Sequence, residues 1–146
     1  MKSIQGLAAG LAGAVVLTVT HQLLHKMFRD APRMDLMGEE AVNKITDKAG
    51  IDLTAENTYN AAMTGDIAGN ALYYSLAYTG NRKNALQRGA LLGLTAGIGA
   101  VVLPKHMGLS NEYSNRTIKT GLLAIAVYTL GGIVSGKVAG MLSKRE

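Results

Sequence analysis

Two histidines and one aspartate are the residues of this chain whose types and positions could support chemistry. His21 and His25 are four residues apart, which places them about one turn apart on the same face of a helix. Asp66 interrupts a second, mostly apolar segment. Two helical histidines and a carboxylate from a neighbouring helix could ligate zinc or non-haem iron. The sequence therefore makes His21, His25 and Asp66 a candidate site for a divalent metal.

Two other interpretations of these three residues remain open. They could relay protons or an ion through a helix bundle, because ionisable groups inside a membrane are often functional. They could also be polar groups that only form hydrogen bonds to neighbouring helices. The chain contains no cysteine, which excludes thiolate metal sites. It also lacks a phosphate loop and the nucleophile motifs of serine hydrolases, so no catalytic residue is predicted.

Basic residues flank the same predicted helix ends as the histidines. Cations at such positions can bind anionic lipid head groups or a phosphate-bearing ligand, and they equally serve to anchor helices at a membrane surface. The net charge of +5 does not indicate nucleic-acid binding, because the basic residues are scattered over several loops. The candidates for a head-group or anion site are Arg29, Arg33, Lys105, Arg116 and Lys119.

Four segments rich in Gly, Ala, Leu, Ile and Val must position these side chains. Residues 90–103 and 121–136 contain no charged residue, whereas a soluble helix needs a polar outer face. One Phe and no Trp are too few large side chains for a well-filled aqueous core. We therefore predict an all-α integral membrane bundle of four transmembrane helices, formed by a single domain of residues 1–146. The predicted spans are residues 3–28, 57–79, 85–104 and 117–142.

The second predicted span is the least apolar of the four. A carboxylate at a helix centre costs about 2.5–3.5 kcal/mol on membrane-insertion scales, so Asp66 must face protein or water. Tyrosines at both ends of this segment support a span, since aromatic residues favour the two membrane interfaces. Four spans place both termini on one side, and the distribution of Lys and Arg slightly favours the cytoplasm for that side.

The connections between the spans carry their own signals. Residues 36–48 have an amphipathic pattern that predicts a short helix at the membrane surface, ended by Gly50. Thr54 is the predicted N-cap of the second span. Ser110 or Asn111 is expected to cap a long fourth helix.

Glycine recurs at every fourth position of the third and fourth spans, so that each set falls on one helix face. In a bilayer, small residues allow two helix backbones to approach closely. These glycines therefore predict helix-packing contacts, either within one chain or between chains. They are Gly89, Gly93 and Gly97 in the third span and Gly132, Gly136 and Gly140 in the fourth.

The leading functional interpretation is a small multi-pass membrane protein without catalytic activity. It would act as an oligomer or as a subunit of a larger membrane complex, with the lipid bilayer and other membrane helices as its partners. The alternative is a metal-dependent membrane protein or enzyme that uses His21, His25 and Asp66. An ion or proton pathway through the bundle is the third interpretation.

Overall fold

In the computed structural model, which describes residues 2–143, the chain is helical, and no strand occurs among those residues. This confirms the predicted all-α class. Single-turn 3-10 helices at Leu76–Tyr78 and Arg82–Asn84 join the third helix to the fourth. The α-helices, in chain order, are α1 (Lys2–Met27), α2 (Met34–Ala49), α3 (Ala55–Ser75), α4 (Ala85–His106), α5 (Glu112–Asn115) and α6 (Ile118–Leu142).

Three helices are long and apolar enough to cross a membrane. These candidate spans are Ser3–Met27, Arg82–His106 and Ile118–Leu142. They correspond to the first, third and fourth predicted spans. The helix predicted as the second span, α3, is not among them. Its 21 residues include three asparagines in addition to Asp66, which lower its hydropathy.

Local capping chemistry determines several helix ends. The predicted N-cap Thr54 is confirmed, because its hydroxyl accepts a hydrogen bond from the Asn57 amide at 3.2 Å. Gly50 ends α2 as predicted, in a left-handed conformation with φ of 68° that glycine adopts readily. The predicted cap of the last helix is wrong. Thr117 caps α6 through a bond to the Thr120 amide, and α5 forms separately before it.

The four longest helices pack side by side in the order α3, α1, α6, α4. Each neighbouring pair in this row is antiparallel. Gly6 lies beside Tyr78 at one end of the α1–α3 contact, and Thr18 bonds to Asp66 further along it. Helices α3 and α4 lie at the two ends of the row and contact each other little. This arrangement leaves an open space between them.

Glycine allows the backbones of α4 and α6 to come into direct contact. A methyl group added at Gly93 would lie 2.5 Å from the Tyr128 carbonyl oxygen and 2.7 Å from Thr129 Cα. Gly89, Gly97, Gly132 and Gly136 meet the opposite backbone in the same way. Gly140 differs, since its nearest neighbour across the crossing is the Ala85 side chain at 3.9 Å. The predicted glycine positions thus pack two helices of the same chain.

Glycines of α1, for which no packing role was predicted, also lie against the backbones of neighbouring helices. A methyl group at Gly10 would lie 2.7 Å from the Ser75 amide nitrogen, and one at Gly13 would lie 2.5 Å from the Gly131 carbonyl oxygen. Fully buried Tyr74 fills the centre between these contacts. Its hydroxyl donates to the Tyr128 carbonyl at 2.7 Å, which ties α3 to α6 across the bundle.

Helix α2 lies across one end of the bundle, where it contacts α3 and the segment around α5. Gly38 approaches the Ala62 side chain on α3. The Ser110 amide donates to Glu40 at 2.9 Å, and Glu40 also pairs with Lys44 at 3.1 Å. The bond from Ser110 lowers the pKa of the Glu40 carboxyl below its usual range. These contacts hold α2 against the connection between α4 and α6.

Candidate binding site

The predicted metal residues line one small polar cavity near the α2 end of the bundle. His21 and His25 approach it from α1, Asp66 from α3 and Asp35 from the start of α2. The cavity volume is about 20 Å³, which is enough for about one water molecule. The structure therefore brings together the three residues singled out in the sequence and adds a second carboxylate.

His21 is held rigidly beside this cavity. The residue is 8% exposed, and its ring packs edge-on against Tyr128 with 5.5 Å between ring centroids. Its Nε2 atom is buried and has no hydrogen-bond partner among residues 2–143. His25, one turn further along α1, is exposed. The two histidines thus occupy different environments, although they share a helix face.

The carboxylate of Asp66 is surrounded by neutral hydrogen-bond donors. Asn70 Nδ2 donates to one oxygen at 2.9 Å, and the Thr18 hydroxyl donates to the other at 3.3 Å. No Lys, Arg or His among the described residues forms an ion pair with Asp66. The side chain is thus hydrogen-bonded but lacks a counter-ion within the described chain.

The second carboxylate, Asp35, is already engaged by a cation. Arg33 Nε and Nη2 donate to its two oxygens at 2.9 and 2.7 Å. Burial alone would raise the pKa of Asp35, but the bonds and charge of Arg33 outweigh it and hold that pKa below its usual range. The Arg33 amide also donates to the Tyr113 carbonyl at 2.7 Å. The Arg33–Asp35 ion pair and this backbone hydrogen bond together stabilise the turn between α1 and α2.

The cavity residues do not form a compact set of metal ligands. Across residues 2–143, no group of three or more His, Cys, Asp or Glu side chains lies close enough to hold a metal ion. Sharing a cavity is a weaker relation than ligating one ion, because ligands of zinc must converge to within about 2.0–2.3 Å of it. The geometry consequently gives no support to the metal hypothesis for His21, His25 and Asp66.

The other basic residues proposed as a head-group site lie at the same end of the bundle, and two of them share one acidic neighbour. Arg116 and Lys119 each lie 3.7 Å from the Asp30 carboxylate. Arg116 also donates to the backbone carbonyl of Arg29. Lys105 is exposed at the end of α4. Two of these four cations are thus near an acidic side chain, and a binding role for the set stays a prediction.

A larger space opens beside the polar cavity, between α3 and α4. We call it the lateral groove; its volume is about 600 Å³. Small and apolar side chains form most of its walls, with α2 covering one end, and Asp66, Asn70 and Tyr128 lie at its polar part. Asp66 also lines the polar cavity, so the two spaces meet at this carboxylate.

Helix α3 has two glycines without neighbours on other helices, Gly65, which lines the lateral groove, and Gly69. No atom outside the helix would lie within 4 Å of a methyl group added at Gly65 or Gly69. We use the name outer face of α3 for its exposed surface, which covers about half of the helix circumference and includes Asn60, Thr64, Ala68, Gly69 and Leu72. In the sequence, Gly65 and Gly69 form a Gly-x-x-x-Gly pattern, which is typical of helix pairs in membranes.

Neither the lateral groove nor the outer face of α3 was predicted from the sequence. The groove depends on which helices are neighbours, and the asparagines around Asp66 obscured the glycine spacing of α3. Comparison with models of known protein families, with curated proteins and with solved structures finds no match to this chain.

Proposed function

We propose that this protein is a non-catalytic, multi-pass integral membrane protein whose α3 helix binds another helix within the bilayer. Four helices, α1, α3, α4 and α6, cross the membrane. The bound helix belongs to a second copy of the chain or to another subunit of a membrane complex. The exposed polar and glycine surface on the outer face of α3 is the observation that carries this proposal.

The position of α3 beside α1 supports a fourth crossing. Helix α3 has 21 residues, or about 30 Å of helical rise, which matches the hydrocarbon thickness of a bilayer. It runs antiparallel to α1 from Gly6 to Thr18. A helix that lies along a membrane-spanning neighbour over this length occupies the same depth of the bilayer. Packing against α1 buries part of its polar surface, including Asp66.

The residues at the two ends of the bundle support an interfacial position for α2. They also support an assignment of both termini to one side of the membrane. Helix α2 has exposed polar residues and a single fully buried apolar one, Met37, as expected at a membrane surface. At the opposite end, no salt bridge joins the basic residues Arg82, Lys83, Arg88 and Lys137 to an acidic residue among residues 2–143. By the positive-inside rule this end, with both termini, faces the cytoplasm.

The outer face of α3 is poorly suited to face lipid alone. Asn60 and Thr64 are exposed there, and polar side chains in hydrocarbon favour a hydrogen-bonding partner on another helix. Gly69 provides the flat surface on which a second backbone can pack closely. The glycines of α4 and α6 are already occupied within the chain, which leaves α3 as the surface for association.

Replacing Gly69 by leucine is expected to abolish association without destabilising the single chain. Leucine has open space at this position, and glycine in a helix costs about 0.8–1.0 kcal/mol relative to alanine. The measurement is the mass of the protein in lipid nanodiscs, together with photo-crosslinking in native membranes from position 72, which lies three residues from Gly69 on the same helix face and is exposed. We expect a discrete protein adduct and a mass above that of one chain, both lost in Gly69→Leu.

The matched control is Ala126→Leu, which adds similar bulk to the exposed side of α6. This variant should keep the adduct from position 72. The proposal is wrong if position 72 yields only lipid adducts, or if Gly69→Leu and Ala126→Leu behave alike.

A further inference from the structure

We infer that the lateral groove binds a lipophilic monovalent cation, with Asp66 as its counter-ion. A suitable ligand has an apolar body, of alkyl or aryl groups, around an ammonium or phosphonium centre. This inference rests on the proposed crossing of the membrane by α3, but it does not require helix association, because it concerns the space between α3 and α4.

The size and walls of the groove fit an apolar body. Its volume of about 600 Å³ lies within the range of about 300–1,000 Å³ that is usual for small-molecule sites. Ala96, Gly99, Ala100 and Leu103 of α4 form one wall. Small side chains leave room there, while their apolar surfaces favour a hydrophobic ligand.

The charge inside the groove selects for a cation. Among the described residues that line it, Asp66 alone carries a formal charge. Its hydrogen bonds come from the neutral groups of Asn70 and Thr18. A carboxylate in a low-dielectric environment without a counter-ion attracts a positive charge strongly, because desolvation makes the unpaired state costly. A bound cation supplies the counter-ion that the described chain does not.

Two further features favour an organic cation over a hydrated metal ion. The rings of Tyr73 and Tyr128 line the groove, and aromatic rings attract organic cations. The groove also opens sideways between α3 and α4, where these helices scarcely touch. A ligand dissolved in the bilayer can therefore reach Asp66 without passing through water, whereas a hydrated metal ion cannot.

Tetraphenylphosphonium and tetraphenylborate provide the test, because they have similar size and shape and opposite charge. We expect saturable binding of the phosphonium to the purified protein in nanodiscs, measured by equilibrium dialysis against empty nanodiscs. The borate should show no binding beyond that of empty nanodiscs. Asp66→Asn should weaken phosphonium binding at least about tenfold, since removal of one charge from a desolvated pair commonly has an effect of this size.

A steric variant keeps the test decisive if Asp66→Asn folds poorly. Gly99→Phe fills the groove and leaves Asp66 in place; a methyl group at Gly99 meets only the Leu103 side chain of its own helix, at 3.4 Å. This variant should lose phosphonium binding. The control Ala126→Phe, on the exposed side of α6, should retain it. Equal binding of both probes to the wild type, or unchanged phosphonium binding in Gly99→Phe, would overturn the inference.

Discussion

Leucine at Gly93 should reduce the free energy of unfolding by about 3 kcal/mol or more, because α4 and α6 touch through their backbones at this point. Even the first side-chain atom would lie 2.5 Å from the Tyr128 carbonyl oxygen and 2.7 Å from Thr129 Cα. Backbone atoms cannot rotate away, so the two helices must separate. Separation loses dispersion contacts along the whole crossing. Thermal unfolding in detergent, followed by far-UV circular dichroism, measures the loss.

Gly65→Leu is the matched control for this substitution. It introduces the same side chain into a helix of the same protein, but no atom outside the helix lies within 4 Å of the added methyl position. The stability of this variant should equal or exceed that of the wild type, since leucine favours the helix over glycine. If Gly93→Leu is as stable as Gly65→Leu, close backbone packing of α4 on α6 is refuted.

Tyr74→Ala is expected to cost about 3–5 kcal/mol, the range for removal of a large buried aromatic side chain. Tyr74 is fully buried among Leu17, Val127 and Tyr128, which belong to α1 and α6. Its loss leaves a cavity where three helices meet, and it also removes the hydrogen bond to the Tyr128 carbonyl. Tyr74→Phe retains the ring and should cost only about 0.5–1.5 kcal/mol, the usual net value of one hydrogen bond.

The control for Tyr74 is Tyr59, near the other end of α3, which is 39% exposed. Tyr59→Ala should change the unfolding midpoint far less than Tyr74→Ala in the same assay. Similar losses at the two positions would show that Tyr74 of α3 does not pack against α1 and α6 as described.

The helices were largely predictable because their signals are local. Apolar runs without charge define α1, α4 and α6, and the cap at Thr54 and the glycine at position 50 mark helix ends through contacts within a few residues. The cap residue of α6 was not predicted correctly, because Thr117 occupies that position. Ser110 and Asn111 are equally good cap residues by type, but the Ser110 hydroxyl accepts from the Glu112 amide at the start of α5, and its own amide donates to Glu40 on α2, 70 residues away in the chain.

The order of the helices could not be predicted, since it depends on contacts between distant segments. The glycine spacing in α4 and α6 indicated close packing but did not reveal that these two helices meet each other. Gly6, Gly10 and Gly13 of α1 also share one helix face, but the sequence did not reveal that this face meets both Ser75 of α3 and Gly131 of α6. The lateral groove also follows from the order of the helices, because α3 and α4 are the two outermost helices of the row.

The polar site was predictable in part. The three residues singled out in the sequence, His21, His25 and Asp66, line one cavity. The sequence gave no indication of Asp35, which reaches the cavity because the turn after α1 folds back and is held by Arg33. It also gave no indication that His25 would be exposed while His21 is buried.

Whether α3 crosses the membrane is the central question, and cysteine accessibility answers it directly. The chain has no native cysteine, so single cysteines can replace the exposed residues Asp52, Lys83 and Glu112 without background labelling. An impermeant thiol reagent is applied to either side of sealed vesicles. Four crossings predict that positions 52 and 112 react from one side and position 83 from the other. Labelling of positions 52 and 83 from the same side, with position 112 opposite, would show that only three helices cross.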